Sequence, residues 1–201
     1  VSQQIIEKLS SDAGDFSRED RKNLIHKTKS AWLQTLTSLD HEEDDPGTVW
    51  NKEARERDKD RMSPRKAWRA IQAGMPQDAI ISSDIGNNCA IGNAYPTFEK
   101  ARKYLAPGLF GPCGYGFPSI LGAKIGCPDT PVIGFAGDGA FGISMNEMSS
   151  CAREEWPAIT MVIFRNYQWG AEKRNSILWF DDNFVGTELD PELSYAKLAN
   201  A

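Results

Sequence analysis

Two short polar triplets, each set directly after an apolar run, constrain this chain more than any other feature. Gly137-Asp138-Gly139 follows Pro131-Val132-Ile133-Gly134-Phe135-Ala136, and Asn166-Tyr167-Gln168 follows Ile159-Thr160-Met161-Val162-Ile163-Phe164. Short apolar runs bounded by glycine and polar residues read as buried strands. Twenty-eight positions separate Asp138 from Asn166, room for a crossover helix between two parallel strands. Both triplets then fall at the carboxyl ends of strands, where open α/β sheets place their ligands. The Asp138 carboxylate, the Asn166 amide oxygen and a main-chain carbonyl form a hard-oxygen set suited to Mg²⁺, which in turn holds phosphates.

The punctuation upstream extends the same pattern. Ser63-Pro64 reads as an N-cap with proline at the first helical position, and Gly74 as the stop, with Trp68 and Ile71 on the buried stripe. Ala79-Ile-Ile-Ser-Ser-Asp84 reads as a strand, with Ile85-Gly86-Asn87-Asn88 as its terminal loop. A Gly-rich loop, Gly111 to Pro118, opens a short helix over Ser119–Ile125; a further helix is expected after Gly142 to about Glu155, between strands 132–136 and 159–165. This alternation predicts an α/β fold, a parallel sheet with helices on both faces. Glycines in these loops let backbone N–H groups approach an anion, and Asn87 and Asn88 stand ready to donate side-chain amides to it.

Organisation changes near residue 60. Ser17-Arg-Glu-Asp20 looks like a capping box, and Ile25, Trp32, Leu36 and Leu39 follow at helical spacing, which predicts an amphipathic helix. His41-Glu-Glu-Asp-Asp-Pro-Gly47 ends it, and residues 51–61 read as a solvated linker or exposed helix. The expected division is 1–60, a linker with the end of a preceding domain, and 61–201, a domain that is itself incomplete. The chain opens on Val1 and stops inside the helix-like Tyr195–Ala201, so it reads as a piece of a longer protein.

Several function classes are disfavoured. The net charge of −5 gives no basic footprint, and acidic and basic residues alternate in 51–61, so no nucleic-acid partner is expected. The longest apolar stretches are about six residues, short of the ~20 a membrane helix needs, and no signal-peptide pattern opens the chain. Cys89, Cys113, Cys127 and Cys151 stand singly, far in sequence from His26 and His41, which argues against zinc and for reduced cysteines in a cytoplasmic protein. No G-x-G-x-x-G follows the first strand, and Pro118 spoils the continuation of Gly114-Tyr-Gly116, so a nicotinamide site is not expected.

Taken in order, Asp84-Ile-Gly-Asn-Asn88, Gly114-Tyr-Gly-Phe-Pro118, Gly137-Asp-Gly139 and Asn166 resemble the C-terminal, diphosphate-binding domain of the acetolactate-synthase-like thiamine diphosphate (ThDP) superfamily. More narrowly, Phe135–Met148, Met161–Asn175 and Phe184–Leu189 are similar to the sulfoacetaldehyde acetyltransferase family. The chain departs from the superfamily pattern in having Arg165 before Asn166, where Asn-Asn is usual, and Cys113 where Met is frequent.

The resemblance implies a site. Asp138 and Asn166 would hold Mg²⁺ through side-chain oxygens and Gln168 through its carbonyl. Gly86, Asn87, Asn88, Gly137, Gly139 and Ala140 would meet the diphosphate, and Cys113 and Tyr115 would lie near the thiazolium. It implies a ThDP- and Mg²⁺-dependent acetyltransferase turning sulfoacetaldehyde and inorganic phosphate into acetyl phosphate and sulfite, in cytoplasmic taurine and C2-sulfonate breakdown. The Glu that activates the cofactor would belong to a separate N-terminal domain, and the enzyme would be a homodimer or homotetramer with sites shared between subunits. Lys173 and Arg174, just past the metal loop, are candidates for binding the sulfonate or phosphate anion. Two alternatives remain at this point: another acetolactate-synthase-like ThDP enzyme, and a ThDP-binding module without turnover.

Overall fold

The computed structural model describes residues 17–41, 62–98, 103–152, 155–181 and 183–201, and the chain divides into two compact units, Val1–Arg61 and Met62–Ala201. The charged run at 51–61 and the stop signal past His41 lie outside the described residues.

In the first unit, helix α1 (Arg18–His41) opens on the expected cap. Asp20 N–H donates to Ser17 Oγ at 3.0 Å, while Ser17 N–H donates back to Asp20 Oδ2 at 3.1 Å. Each side chain thus satisfies a donor that the first turn leaves orphaned. Of the described members of the expected apolar stripe, Leu36 is buried, while Ile25 is 60% exposed and Trp32 47%; the Leu39 side chain lies outside the described residues.

The second unit begins with α2 (Pro64–Gly74), where Ser63 Oγ accepts from Arg65 N–H (3.2 Å) and Lys66 N–H (3.4 Å). Next come β1 (Ile80–Ser83), α3 (Asn87–Gly92), β2 (Tyr104–Leu105) and α4 (Gly116–Gly126). β3 (Val132–Gly137) runs straight into α5 (Asp138–Ser144), a 3₁₀ turn at Met145–Glu147 and α6 (Met148–Cys151). β4 (Thr160–Phe164), α7 (Gly170–Phe180) and α8 (Tyr195–Ala199) complete the unit. The four strands pair in parallel in the order β2-β1-β3-β4.

Three expectations need correction. Asn87 and Asn88 are the first turn of α3, not a loop. Helix α4 starts at Gly116, three residues before Ser119. The helix after β3 starts at Asp138 rather than beyond Gly142, because Ala140 and Phe141 gain burial there. That burial outweighs the poor helix propensity of two glycines in seven residues.

Alternation along β3 builds two cores. Val132 and Ala136 pack with Phe117, Ile120 and Leu121 of α4 and with Ala140 and Phe141 of α5. Ser82 on β1 points the same way, its hydroxyl 2.5 Å from that of Ser119. Phe135 points oppositely, its ring 4.3 Å from the fully buried Trp68 of α2, which also stacks on Phe164 of β4 at 5.6 Å. Successive strand residues face opposite sides, so α4 and α2 cover opposite faces of the sheet. Gly134 lets α4 lie close: a Cβ there would stand 3.1 Å from Ile120 Cδ1 and 2.6 Å from Met161 Sδ.

Candidate functional site

Parallel pairing sets the ends of three strands on one rim. Ser83 pairs with Phe135 and Gly137 with Phe164, so Asp84, Asp138 and Asn166 each lie one or two residues past a last paired position. From β1 the chain moves to β2 on one side, then crosses to β3 and β4 on the other. The crevice between β1 and β3 is therefore a topological switch point, the usual ligand position in such sheets.

Asp138 is 2% exposed. Its Oδ1 accepts Gly139 N–H at 3.1 Å and its Oδ2 accepts Tyr167 N–H at 2.7 Å. The second bond crosses from the end of β3 to the end of β4 and locks the two triplets together. Asn166 Oδ1 accepts Gln168 N–H at 3.3 Å, closing a tight turn. Tyr167, inside that turn, has φ 62°. A left-handed backbone costs a non-glycine residue about 1–2 kcal/mol. The guanidinium of Arg165 lies over the Tyr167 ring at 4.4 Å, and Tyr167 C=O accepts Leu189 N–H at 2.8 Å, so both ends of the strained residue are held.

Gln168 forms an antiparallel bridge with Glu188, flanked by Trp169 N–H to Thr187 O (2.7 Å) and the Leu189 bond. In that pattern the bridged residue turns its own N–H and C=O away from the partner strand. The Gln168 carbonyl thus points to the side on which its N–H meets Asn166. Trp169 lies against Gly139, where a Cβ would stand 2.8–3.0 Å from three indole carbons. Only glycine leaves room for that ring.

The Gly-rich loop is fastened to the same rim by Asp84, a fully buried carboxylate. Its Oδ1 accepts Ile85 N–H (2.8 Å) and Gly114 N–H (3.1 Å), and its Oδ2 accepts Gly116 N–H (2.6 Å). A Cβ on Gly116 would come within 3.0 Å of Asp84 Cβ. Burial pushes the Asp84 carboxyl above its ordinary range, and the backbone N–H groups of Gly116, Ile85, Gly114 and Tyr115 pull against that shift.

The asparagines after β1 divide their work. Asn88 is buried and its amide donates inward, to Asp84 O at 3.2 Å and Ser83 Oγ at 3.5 Å. Its side-chain amide thus braces the start of α3. Asn87 is exposed, and its Nδ2 converges with that of Asn166 over Gly170, 3.3 and 2.5 Å from a Cβ built there.

The remaining expected residues fall around this centre. Gly86 caps α3, Gly137 ends β3, and Ala140 is buried in the first turns of α5. Tyr115 is half-buried and Cys113 exposed. Partial desolvation, then the carboxylates of Asp84 and Glu172, push the Cys113 thiol up, which keeps it protonated near neutral pH. Lys173 ion-pairs with Glu188 and lies 4.5 Å from the Phe184 ring centre, while Arg174 is exposed on the same helix. Sequence reasoning did not find Arg165, Trp169 and Tyr195, whose OH donates to Asp138 O at 2.9 Å. Arg165 stands out in the sequence only as a departure from the superfamily pattern, and the partners of Trp169 and Tyr195 lie across the fold.

The donor chemistry fits Mg²⁺. Each Asp138 oxygen and Asn166 Oδ1 accepts one hydrogen bond and keeps a further lone pair. Among the described residues no three His, Cys, Asp or Glu side chains cluster, so the set here is one carboxylate with neutral amide and carbonyl oxygens. Such a set suits a hard cation that completes its shell with phosphate and water.

Residues 84–201 match the family described as thiamine pyrophosphate enzyme, C-terminal TPP binding domain. A protein of Rhizobium meliloti (strain 1021) named probable sulfoacetaldehyde acetyltransferase is 76% identical over 200 residues, covering 100% of this chain and 34% of that protein. The sulfoacetaldehyde acetyltransferase of Roseovarius nubinhibens is 71% identical over 201 residues, covering 100% of this chain and 33% of that protein. The chain thus spans about a third of the length of these relatives. Among solved structures, the Rhodococcus jostii RHA1 thiamine diphosphate-dependent 4-hydroxybenzoylformate decarboxylase superposes with TM-score 0.63 at 25% identity, covering 69% of this chain and 26% of that one. A rim built on Asp84, Asp138 and Asn166, inside a match that runs from Asp84 to Ala201, places the chain in the thiamine pyrophosphate enzyme family as its C-terminal TPP-binding domain.

Proposed function

We propose that the protein carrying this chain is a ThDP- and Mg²⁺-dependent acetyltransferase that converts sulfoacetaldehyde and inorganic phosphate to acetyl phosphate and sulfite. The observation that carries this reading is the Tyr167 N–H bond to Asp138, which brings the Asp138 and Asn166 turns onto one rim in a chain 71% identical to a sulfoacetaldehyde acetyltransferase.

In this reading Asp138 supplies the one anionic metal oxygen, and Asn166 Oδ1 and the Gln168 carbonyl supply neutral ones. Gly86, Asn87, Gly137, Gly139 and Ala140 would meet the diphosphate, with the Gly139 N–H already engaged by Asp138 Oδ1. Asn88 acts from behind by bracing the turn that presents Gly86 and Asn87. Cys113 and Tyr115, on the loop that Asp84 anchors, would lie near the thiazolium, where the protonated thiol would add no negative charge. When bound, ThDP supplies the nucleophilic carbon and the electron sink for the bond changes at the aldehyde. This chain's part is to hold the diphosphate end so that the reactive end faces the substrate.

The activating Glu is proposed to lie on an N-terminal domain of the longer protein, in a homodimer or homotetramer that shares its sites. The domain division at 60/61 and a cytoplasmic setting belong to the same proposal; among the described residues no helix is long and apolar enough to cross a membrane. The deciding experiment gives the full-length enzyme sulfoacetaldehyde, phosphate, ThDP and Mg²⁺ and measures sulfite and acetyl phosphate together. Equal amounts of the two are expected. Sulfite-free turnover of two keto acids would instead assign it to acetolactate chemistry, and binding without turnover to a cofactor-holding module.

A further inference from the structure

We propose that the segment from Thr187 to Tyr195 is a clamp that sets the geometry of the metal site, with Tyr195 and Arg165 as its positioning residues. The inference rests on the metal reading above and assigns work to residues that reading leaves idle.

Each residue of the donor set, or its turn, is tied to this segment. Tyr195 O–H donates to the main-chain carbonyl of Asp138 at 2.9 Å. Its ring meets Phe141 edge-on, with centroids 5.2 Å apart and planes at 85°, so the hydroxyl cannot swing away without breaking that contact. Tyr195 is itself fixed as the first residue of α8, where Ser194 Oγ accepts Lys197 N–H at 3.3 Å. Arg165, next to Asn166, donates from Nη2 to Pro191 O at 2.9 Å. The same guanidinium covers the Tyr167 ring at 4.4 Å and lies 5.9 Å from the Tyr195 ring centre. Gln168 is bridged to Glu188.

Two of these contacts are polar, although the Tyr195 ring itself packs against the core. The Tyr195 hydroxyl bonds a backbone atom at the rim, and Arg165 bonds a carbonyl on an exposed turn. What they do share is the backbone on either side of the Asp138–Tyr167 bond. Tyr167 holds its left-handed φ of 62° between Asp138 on one side and Leu189 on the other, so a loosened clamp lets that turn relax. Relaxation would carry Asn166 Oδ1 and the Gln168 carbonyl away from Asp138.

The test uses the full-length enzyme and reads Mg²⁺-dependent ThDP binding by titration calorimetry, together with the melting temperature of the apo form. Tyr195→Phe keeps the ring and removes the donor; Arg165→Lys keeps the charge and removes the planar fork. One lost hydrogen bond corresponds to about a fivefold rise in the apparent Mg²⁺ dissociation constant for Tyr195→Phe. Arg165→Lys, which loses a bond and a stack, should show a larger rise. A mis-set site is refilled by mass action, so saturating Mg²⁺ should restore parental ThDP affinity in both variants. An Mg²⁺ constant within about twofold of the parent in Tyr195→Phe overturns the clamp. So does a loss that saturating Mg²⁺ fails to restore, which marks a merely structural role. Asp138→Ala is the third arm: if it retains Mg²⁺-dependent binding, the metal reading itself falls, whereas its loss beside a parental Tyr195→Phe removes the clamp alone.

Discussion

Adding one methyl group at Gly139 tests how tightly the two triplets are registered. A Cβ there would stand 2.8, 2.9 and 3.0 Å from three carbons of the Trp169 indole. Ordinary carbon–carbon contact needs about 3.5–4.0 Å, so the ring must retreat by close to 1 Å. Trp169 is not free to do so alone, because its N–H is bonded to Thr187 O at 2.7 Å and its neighbour Gln168 is bridged to Glu188. The retreat therefore drags the loop that carries Asn166 and the Gln168 carbonyl. Overpacking of this kind costs about 1–3 kcal/mol. If restoring the loop is the toll on cofactor binding, Gly139→Ala weakens Mg²⁺-dependent ThDP binding by about fivefold to 150-fold. Gly122→Ala is the matched control. Gly122 lies inside α4 with nothing within 4 Å of its added Cβ, so the same methyl should be neutral or stabilising by about 0.5–1 kcal/mol. Calorimetric titration of both variants in the full-length enzyme, with Trp169 fluorescence as a local reporter, decides the matter. Parental affinity and unchanged fluorescence in Gly139→Ala would refute the registration.

Four further outcomes are expected. Asp138→Ala abolishes Mg²⁺-dependent ThDP binding while Asn166→Ala only weakens it, since the first removes the single anionic ligand; calorimetry giving the reverse order would exchange their roles. Asp84 keeps its proton to higher pH in the folded chain than in the unfolded one, so its contribution to stability is full below the unfolded value and is lost as pH rises through the raised folded one. Asp84→Asn should therefore flatten the fall of the melting temperature as pH rises above the ordinary carboxyl range, and parallel profiles would contradict this. Lys173→Met, whose ammonium is engaged with Glu188, should leave both Michaelis constants near parental values, whereas Arg174→Met raises that for sulfoacetaldehyde or phosphate. The 201-residue chain expressed alone should release no sulfite and should self-associate, as sedimentation would show, with Phe110 93% and Trp179 78% exposed; steady turnover by a monomer would contradict both.

What the sequence made legible was local. The strands before Asp138 and Asn166 announce themselves as apolar runs, and the Ser63 and Ser17 caps lie within three residues of the N–H groups they accept. β2 is two residues long, too short for any alternation to register. The start of α5 at Asp138 was hidden because Gly139 and Gly142 speak against helix, and only the burial of Ala140 and Phe141 overrules them. Asn88 carries the right chemistry for a diphosphate donor, but its direction depends on Ser83 and Asp84, five and four residues back, once the strand has turned into α3. Lys173 looks like a free cation until Glu188, fifteen residues on, is folded against it. Tyr195 is fifty-seven residues from Asp138, and nothing in its neighbours betrays the bond.

Gly134 lies four residues before Asp138, about 13 Å down the strand from the rim. Its missing side chain leaves room for Met161 of β4 and for Ile120 of α4, and so helps set how deeply α4 sinks onto the sheet. The same helix begins at Gly116, whose N–H is bonded to Asp84 at the rim. α4 therefore works as a lever with its fulcrum on Gly134: a shim inserted at the base pries the helix outward and pulls its tip off Asp84. Substitutions there would reach the cofactor without touching it, which makes sheet-to-helix spacing a remote adjustment for the width of the crevice.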